Sequence, residues 1–147
     1  MHLDLLLEQA DENLFLGKES PVDNKVHLEA AMSLYSTILR VDPTNFEARV
    51  GQGSTNFLLG RPDLAIPDYE LALDSMPPEM DLDAEIEFNL GYGFLLFEVG
   101  RFEDALKVTT KVIDELDDDC FGAYSRRAGI LLDLGRNEES LSDCRKM

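Results

Sequence analysis

Three apolar runs in this chain end in the same dipeptide: Gly60-Arg61, Gly100-Arg101 and Gly135-Arg136. The glycines are 40 and then 35 residues apart. A recurrence of this length is the mark of stacked helical units, each too small to bury its own apolar face. The copies agree in more than their ends. Phe46 to Arg61 reads FEARVGQGSTNFLLGR, and Phe121 to Arg136 reads FGAYSRRAGILLDLGR. In register, Phe46 meets Phe121, Ala48 meets Ala123, and Gly53 meets the equally small Ala128. The middle copy, Ile86 to Arg101, has Gly93 at that small position. Each copy reads as a helix stopped by a glycine free to adopt the left-handed backbone.

A second helix follows each stop. After Gly60 come Pro62-Asp63, with proline at a helix start, and then Leu64, Ala65, Tyr69, Ala72 and Leu73 at helical spacing. After Gly100 the set is Phe102, Ala105, Leu106, Val112 and Ile113; after Gly135 it is Leu141 and Cys144. A looser leading unit places Gly17 at a helix end, Lys18 to Lys25 in a loop, and Ala31, Tyr35, Ile38 and Leu39 on a second apolar face. Pro77-Pro78-Glu79-Met80-Asp81 reads as an enlarged loop. Pro67 falls inside a predicted helix and removes a hydrogen bond there, so a kink or a late start is expected.

These residues resemble the tetratricopeptide repeat, a helix pair with a small residue amid its first helix, a glycine and then an aromatic at the turn, and an alanine, an aromatic, an alanine and a proline through the second. The second unit supplies Gly53, Gly60, Ala65, Tyr69, Ala72 and Pro77. The third supplies Gly93, Gly100, Phe102 and Ala105, with Thr109 and Val112 in place of the aromatic and the second alanine. The first supplies Ala31, Tyr35 and Pro43; the fourth supplies Ala123, Tyr124, Ala128 and Gly135, with Ser140 for alanine. The resemblance implies an all-α, right-handed α-solenoid of antiparallel helix pairs. It makes the chain one domain of about three and a half units, roughly 3–43, 46–77, 86–119 and 121–147, the last truncated. A solenoid ends in a polar cap, so the last residues, Ser142 to Met147, which stop within a predicted helix, also read as truncation.

The resemblance also implies a concave groove lined by first helices. The matching positions are Leu7 and Asp11; Val50, Ser54 and Phe57; Leu90, Phe94 and Phe97; and Ser125 and Gly129. The set is mostly apolar and would suit a peptide or helix with apolar anchors. Phe57, Leu90 and Phe97 read equally well as core between helices, and Phe94 is the best placed for exposure. Family members that clamp a chaperone's terminal carboxylate use lysine, asparagine and arginine. The matching positions here hold Leu7, Asp11, Gly51, Glu87 and Gly91, which cannot donate as that clamp requires.

Charge narrows the partner. Lys and Arg number 13 against 30 Asp and Glu, a formal net charge of −17. Such a field repels phosphate, so neither nucleic acid nor a membrane surface is expected, and basic or apolar protein partners are. Cys120 and Cys144 make no metal-ligand pattern with His2 or His27, and two cysteines suggest a reducing compartment. The start has no basic residues before its apolar stretch and does not read as a signal peptide. The expected location is cytoplasmic. Phosphate-loop and nucleophile-elbow motifs are missing, and Asp117-Asp118-Asp119 lacks the later ligands of a calcium loop.

The reading is a non-enzymatic interaction module of scaffold or co-chaperone type, with no cofactor and no metal. A holding chaperone similar to small acidic bacterial secretion chaperones, or an assembly domain of a larger protein, are the alternatives. An exposed end could also support self-association.

Overall fold

The computed structural model describes residues 2–147 and consists of paired helices. In chain order these are α1 (Leu3–Glu19), α2 (Asn24–Val41), α3 (Phe46–Leu58), α4 (Pro62–Asp74), α5 (Leu82–Glu98), α6 (Phe102–Lys111), α7 (Phe121–Asp133) and α8 (Asn137–Lys146). A π-helical turn, Val112–Leu116, extends α6. The chain divides into two compact units, Met1–Pro78 and Glu79–Met147, each holding two helix pairs.

The recurrent glycines stop helices as the sequence predicts. Gly60, Gly100 and Gly135 have φ of +78°, +82° and +75°. In each case the following arginine N–H reaches back to the helix: Arg61 to Asn56 O, Arg101 to Leu96 O and Arg136 to Leu131 O, at 2.8–2.9 Å. The glycine N–H bonds the carbonyl three residues earlier, at Phe57, Phe97 and Leu132. Both bonds together form a Schellman cap, which satisfies carbonyls that a helix end otherwise leaves bare.

Within the N-terminal unit α1 packs on α2, α2 on α3 and α3 on α4. Its core is Ala10, Leu14, Leu28, Ala31, Tyr35, Ile38, Leu39 and Ala48. Small residues set the helix spacing. A Cβ on Gly53 would lie 2.8 Å from the Tyr69 ring, and one on Gly51 would lie within the Tyr35 ring's contact distance. Interiors are packed to crystal density, so each missing methyl is matched by an aromatic edge.

The C-terminal unit follows the same scheme, α5 on α6, α6 on α7 and α7 on α8. Its departures from the repeat pattern are locally compensated. Thr109 stands where an aromatic belongs, lies fully buried, and places Cγ2 at 3.3 Å from where a Gly93 Cβ would be. Its hydroxyl donates back to Ala105 O at 3.0 Å, so no polar atom is stranded. Ser140, replacing alanine, donates from α8 to Ala128 O on α7 at 2.7 Å.

Three expectations need correction. Gly17 does not end α1, which runs on to Glu19; it is buried, and a Cβ there would meet Leu28 at 2.6 Å. It is a packing glycine, and the loop before α2 shortens to 20–23. Pro67 does not delay α4, which begins at Pro62 and continues through it. Pro67 is exposed, and the carbonyl it leaves unserved belongs to the exposed Asp63, where solvent can satisfy it. Finally, α5 starts at Leu82 rather than near Ile86, because Asp81 caps it by accepting from Ala84 N at 2.9 Å. The π-helical turn at Val112–Leu116 had no sequence counterpart; it buries the adjacent Val112 and Ile113 together.

Candidate functional site

The groove positions divide between the two compact units. In the N-terminal unit, Leu7 is half-buried against the core cluster and Val50 is half-buried on α3. Asp11 is exposed, yet its Oδ1 accepts from the Tyr35 hydroxyl at 2.5 Å. Tyr35 rises from α2 under Gly51 of α3, so this bond ties α1, α2 and α3 together. Burial first, then the Asp11 carboxylate, pushes the Tyr35 hydroxyl pKa up and keeps it a donor. Ser54 shares a hydrogen bond with the Tyr69 hydroxyl at 3.1 Å. Phe57 is half-buried. Beneath this face, Asp68 is buried, receives Asn56 Nδ2 at 3.0 Å and faces Arg49 at 3.6 Å. Burial raises its pKa; Asn56 and Arg49 offset part of that.

In the C-terminal unit the structure brings four of the five expected residues together. Phe94 and Phe97 on α5, with Ser125 and Gly129 on α7, line a cavity of about 240 Å³, completed by Gly93, Arg126 and Ile130. The helical period does this: Phe94 and Phe97 are three apart, and Ser125 and Gly129 four apart, so each pair shares a helix face. Phe97 leans on Phe102 with ring centroids 5.4 Å apart. The fifth residue, Leu90, packs instead on the core cluster of Val112, Ile113, Ala123 and Tyr124.

Gly129 is informative because nothing structural requires it. It lies in the body of α7, its φ is not positive, and an added Cβ would meet nothing within 4 Å. A glycine inside a helix costs about 1 kcal/mol relative to alanine. Here it leaves open space in the cavity wall.

Sequence reasoning missed Arg126. Its guanidinium lies over the Phe94 ring, 4.8 Å from the centroid. Burial lowers its pKa. The signal was present: Arg126 precedes Gly129 by three and Ile130 by four, the spacing of one helix face. The neighbouring Arg127 serves differently, holding Asp143 of α8 through two bonds of 2.8 Å.

Among the described residues, no group of three or more His, Cys, Asp or Glu is arranged to hold a metal. The acidic run folds on itself, with Asp117 Oδ1 accepting from Asp119 N at 3.1 Å, and Tyr124 donating to Asp118 O at 2.9 Å. No helix among them is long and apolar enough to cross a membrane.

Comparison with solved structures decides the fold. MamA residues 41 to the end from Desulfovibrio magneticus RS-1 superpose with a TM-score of 0.79 at 15% identity, over 98% of this chain and 72% of that one. TTC0263, a thermophilic TPR protein of Thermus thermophilus, gives 0.71 at 23% identity, over 89% and 64%. YrrB, a TPR protein described as having an unusual peptide-binding site, gives 0.70 at 20% identity, over 95% and 73%. This chain has the tetratricopeptide-repeat fold. In sequence it is 29% identical over 126 residues to the DnaJ homolog subfamily C member 7 homolog of Schizosaccharomyces pombe. That match takes in 79% of this chain and about a quarter, 26%, of the relative. A scan against protein-family models finds no match.

Proposed function

We propose that the chain is a non-enzymatic docking module that binds a peptide or helix of a partner protein through the α5/α7 cavity. The observation that carries this reading is Gly129, which sacrifices helix stability and leaves open space on the α7 side of the cavity that Phe94 and Phe97 line from α5. Two half-buried aromatic rings flanking an unfilled space suit an apolar anchor side chain. Burying one large apolar side chain there is worth about 2 kcal/mol. The peptide-binding site named for YrrB supports the same use of the fold. Leu7, Asp11, Val50, Ser54 and Phe57 would form a docking face of their own within the N-terminal unit, while the net charge of −17 favours partners that carry basic segments away from the anchor.

The test is affinity capture with the full chain beside Phe94→Ala, Phe97→Ala and Gly129→Leu, with far-ultraviolet circular dichroism as the fold control. Partners held by the parent chain should be lost from all three variants at unchanged helicity. Retention by all three would place the docking surface elsewhere.

The likeness to a DnaJ homolog favours a second, narrower reading, a co-chaperone or holding role. That role predicts suppressed aggregation of an unfolded client at stoichiometric amounts, which a simple scaffold would not show. Cytoplasmic residence belongs to this proposal and is checked by imaging a tagged full-length protein.

A further inference from the structure

The cavity carries one charge, and its sign is opposite to that of the molecule. The chain holds 30 carboxylate side chains against 13 cations, yet none of the seven residues lining the cavity is acidic. Arg126 is its sole charged residue. Three other arginines of this unit are matched: Arg101 with Asp104 at 2.9 Å, Arg127 with Asp143 at 2.8 Å, and Arg136 with Glu139 at 2.5 Å; Arg145 is exposed near the end of α8. Arg126 instead lies over the Phe94 ring, half-buried, with no ion pair to a carboxylate among the described residues. Burial lowers its pKa with no opposing carboxylate contribution.

A desolvated guanidinium without a counter-ion is costly to keep. It gains most from an anion delivered with the ligand, because charge-assisted bonds to arginine are the strong ones. The contact with Phe94 holds the guanidinium at the cavity, and a planar fork of N–H donors matches a carboxylate. The long-range field of the acidic chain is screened over about 10 Å at ordinary salt, so contact chemistry inside the cavity governs which segment fits.

We propose that the cavity recognises a peptide segment in which a large apolar side chain sits beside an acidic one. The apolar group enters between Phe94, Phe97 and Gly129, and the side-chain carboxylate bonds Arg126. This deepens the docking role proposed above and rests on it.

The experiment is selection from random peptides displayed with their C-termini fused to the carrier, so that no free chain-end carboxylate is present. The full chain, Arg126→Gln, Arg126→Lys and Phe94→Ala are used as baits. The parent chain should enrich a large apolar residue with Asp or Glu next to it. Arg126→Gln should keep the apolar preference and lose the acidic one, Arg126→Lys should keep both, and Phe94→Ala should lose the apolar preference. With a selected peptide in solution, Glu→Gln in the peptide should weaken binding to the parent about ten-fold and leave binding to Arg126→Gln unchanged. Apolar enrichment without an acidic neighbour, or with a basic one, overturns the acidic specificity and leaves the docking role standing. Tight binding only of apolar peptides with a free C-terminal acid overturns the side-chain assignment in the same way. No enrichment over an unrelated bait by the folded parent chain overturns both.

Discussion

Gly51 and Gly60 belong to one helix and its cap, yet each would resist a methyl group for a different reason. At Gly51 the space is filled: the Tyr35 ring occupies it, and its hydroxyl is pinned by Asp11. At Gly60 the space is empty, and only the backbone, at φ +78°, objects. Gly60→Ala should therefore cost about 1 kcal/mol, the ordinary penalty for a left-handed alanine. Gly51→Ala should cost about 1–3 kcal/mol through overpacking and should release Tyr35 from Asp11. Urea denaturation separates the two, and Tyr35→Leu, which removes the ring carbons that the new methyl strikes, should soften the loss only for Gly51→Ala. Asp68 gives a pH test. Its folded pKa is raised above the ordinary carboxylate value of 3.8, so the folded state binds a proton more readily than the unfolded state. Its contribution then favours folding increasingly as pH falls through the raised value toward 3.8. Asp68→Asn should remove that part of the pH dependence. A denaturation midpoint series from pH 7 downward that is superimposable for both proteins would contradict it.

Helix α7 is where stability and docking are expected to pull apart. Gly129→Ala adds helix propensity at a site with no neighbour to strike, so it should raise stability by about 0.5–1 kcal/mol. The same methyl projects into open space in the cavity wall, so partner capture should fall. Thermal melts and binding measured on the same preparation check both halves. At the other side of α7, Arg127 and Ser140 fasten α8. Arg127→Ala leaves the buried Asp143 without its cation, which should raise amide exchange throughout 137–146 while α5 stays protected. The sequence made much of this level legible. Left-handed caps are written in glycine, and apolar periodicity in leucine and alanine, so α3, α4 and α7 could be read directly, whereas Phe94, Phe97, Ser125 and Gly129 came only as positions that the family resemblance implies. What it hid has physical causes. Gly17 looks the same on paper whether it ends a helix or admits Leu28. Proline inside a helix is harmless when the abandoned carbonyl faces solvent, as at Pro67. The neutralised and unneutralised arginines, 127 and 126, are adjacent in sequence and differ only in what α5 and α8 set against them.

At the scale of the molecule, charge and packing oppose each other. A formal charge of −17 on 147 residues makes the folded chain repel itself. Raising neutral salt from near zero to about 0.15 M should screen that repulsion and raise the melting temperature. A melting temperature that falls over the same range would mean that attractive ion pairs outweigh the repulsion. The two compact units each repeat one plan, alanine and glycine at the close approaches and large apolar side chains between them, and the C-terminal unit carries the cavity. The central claim is that this cavity receives a partner's side chain. The most direct measurement is a nuclear magnetic resonance titration of the isotope-labelled full chain with a selected peptide. The largest amide shifts should fall on 93–97 and 125–130. Shifts confined to the α6/α8 side, at Leu106, Thr110 and Ser142, with those two stretches silent, would contradict it.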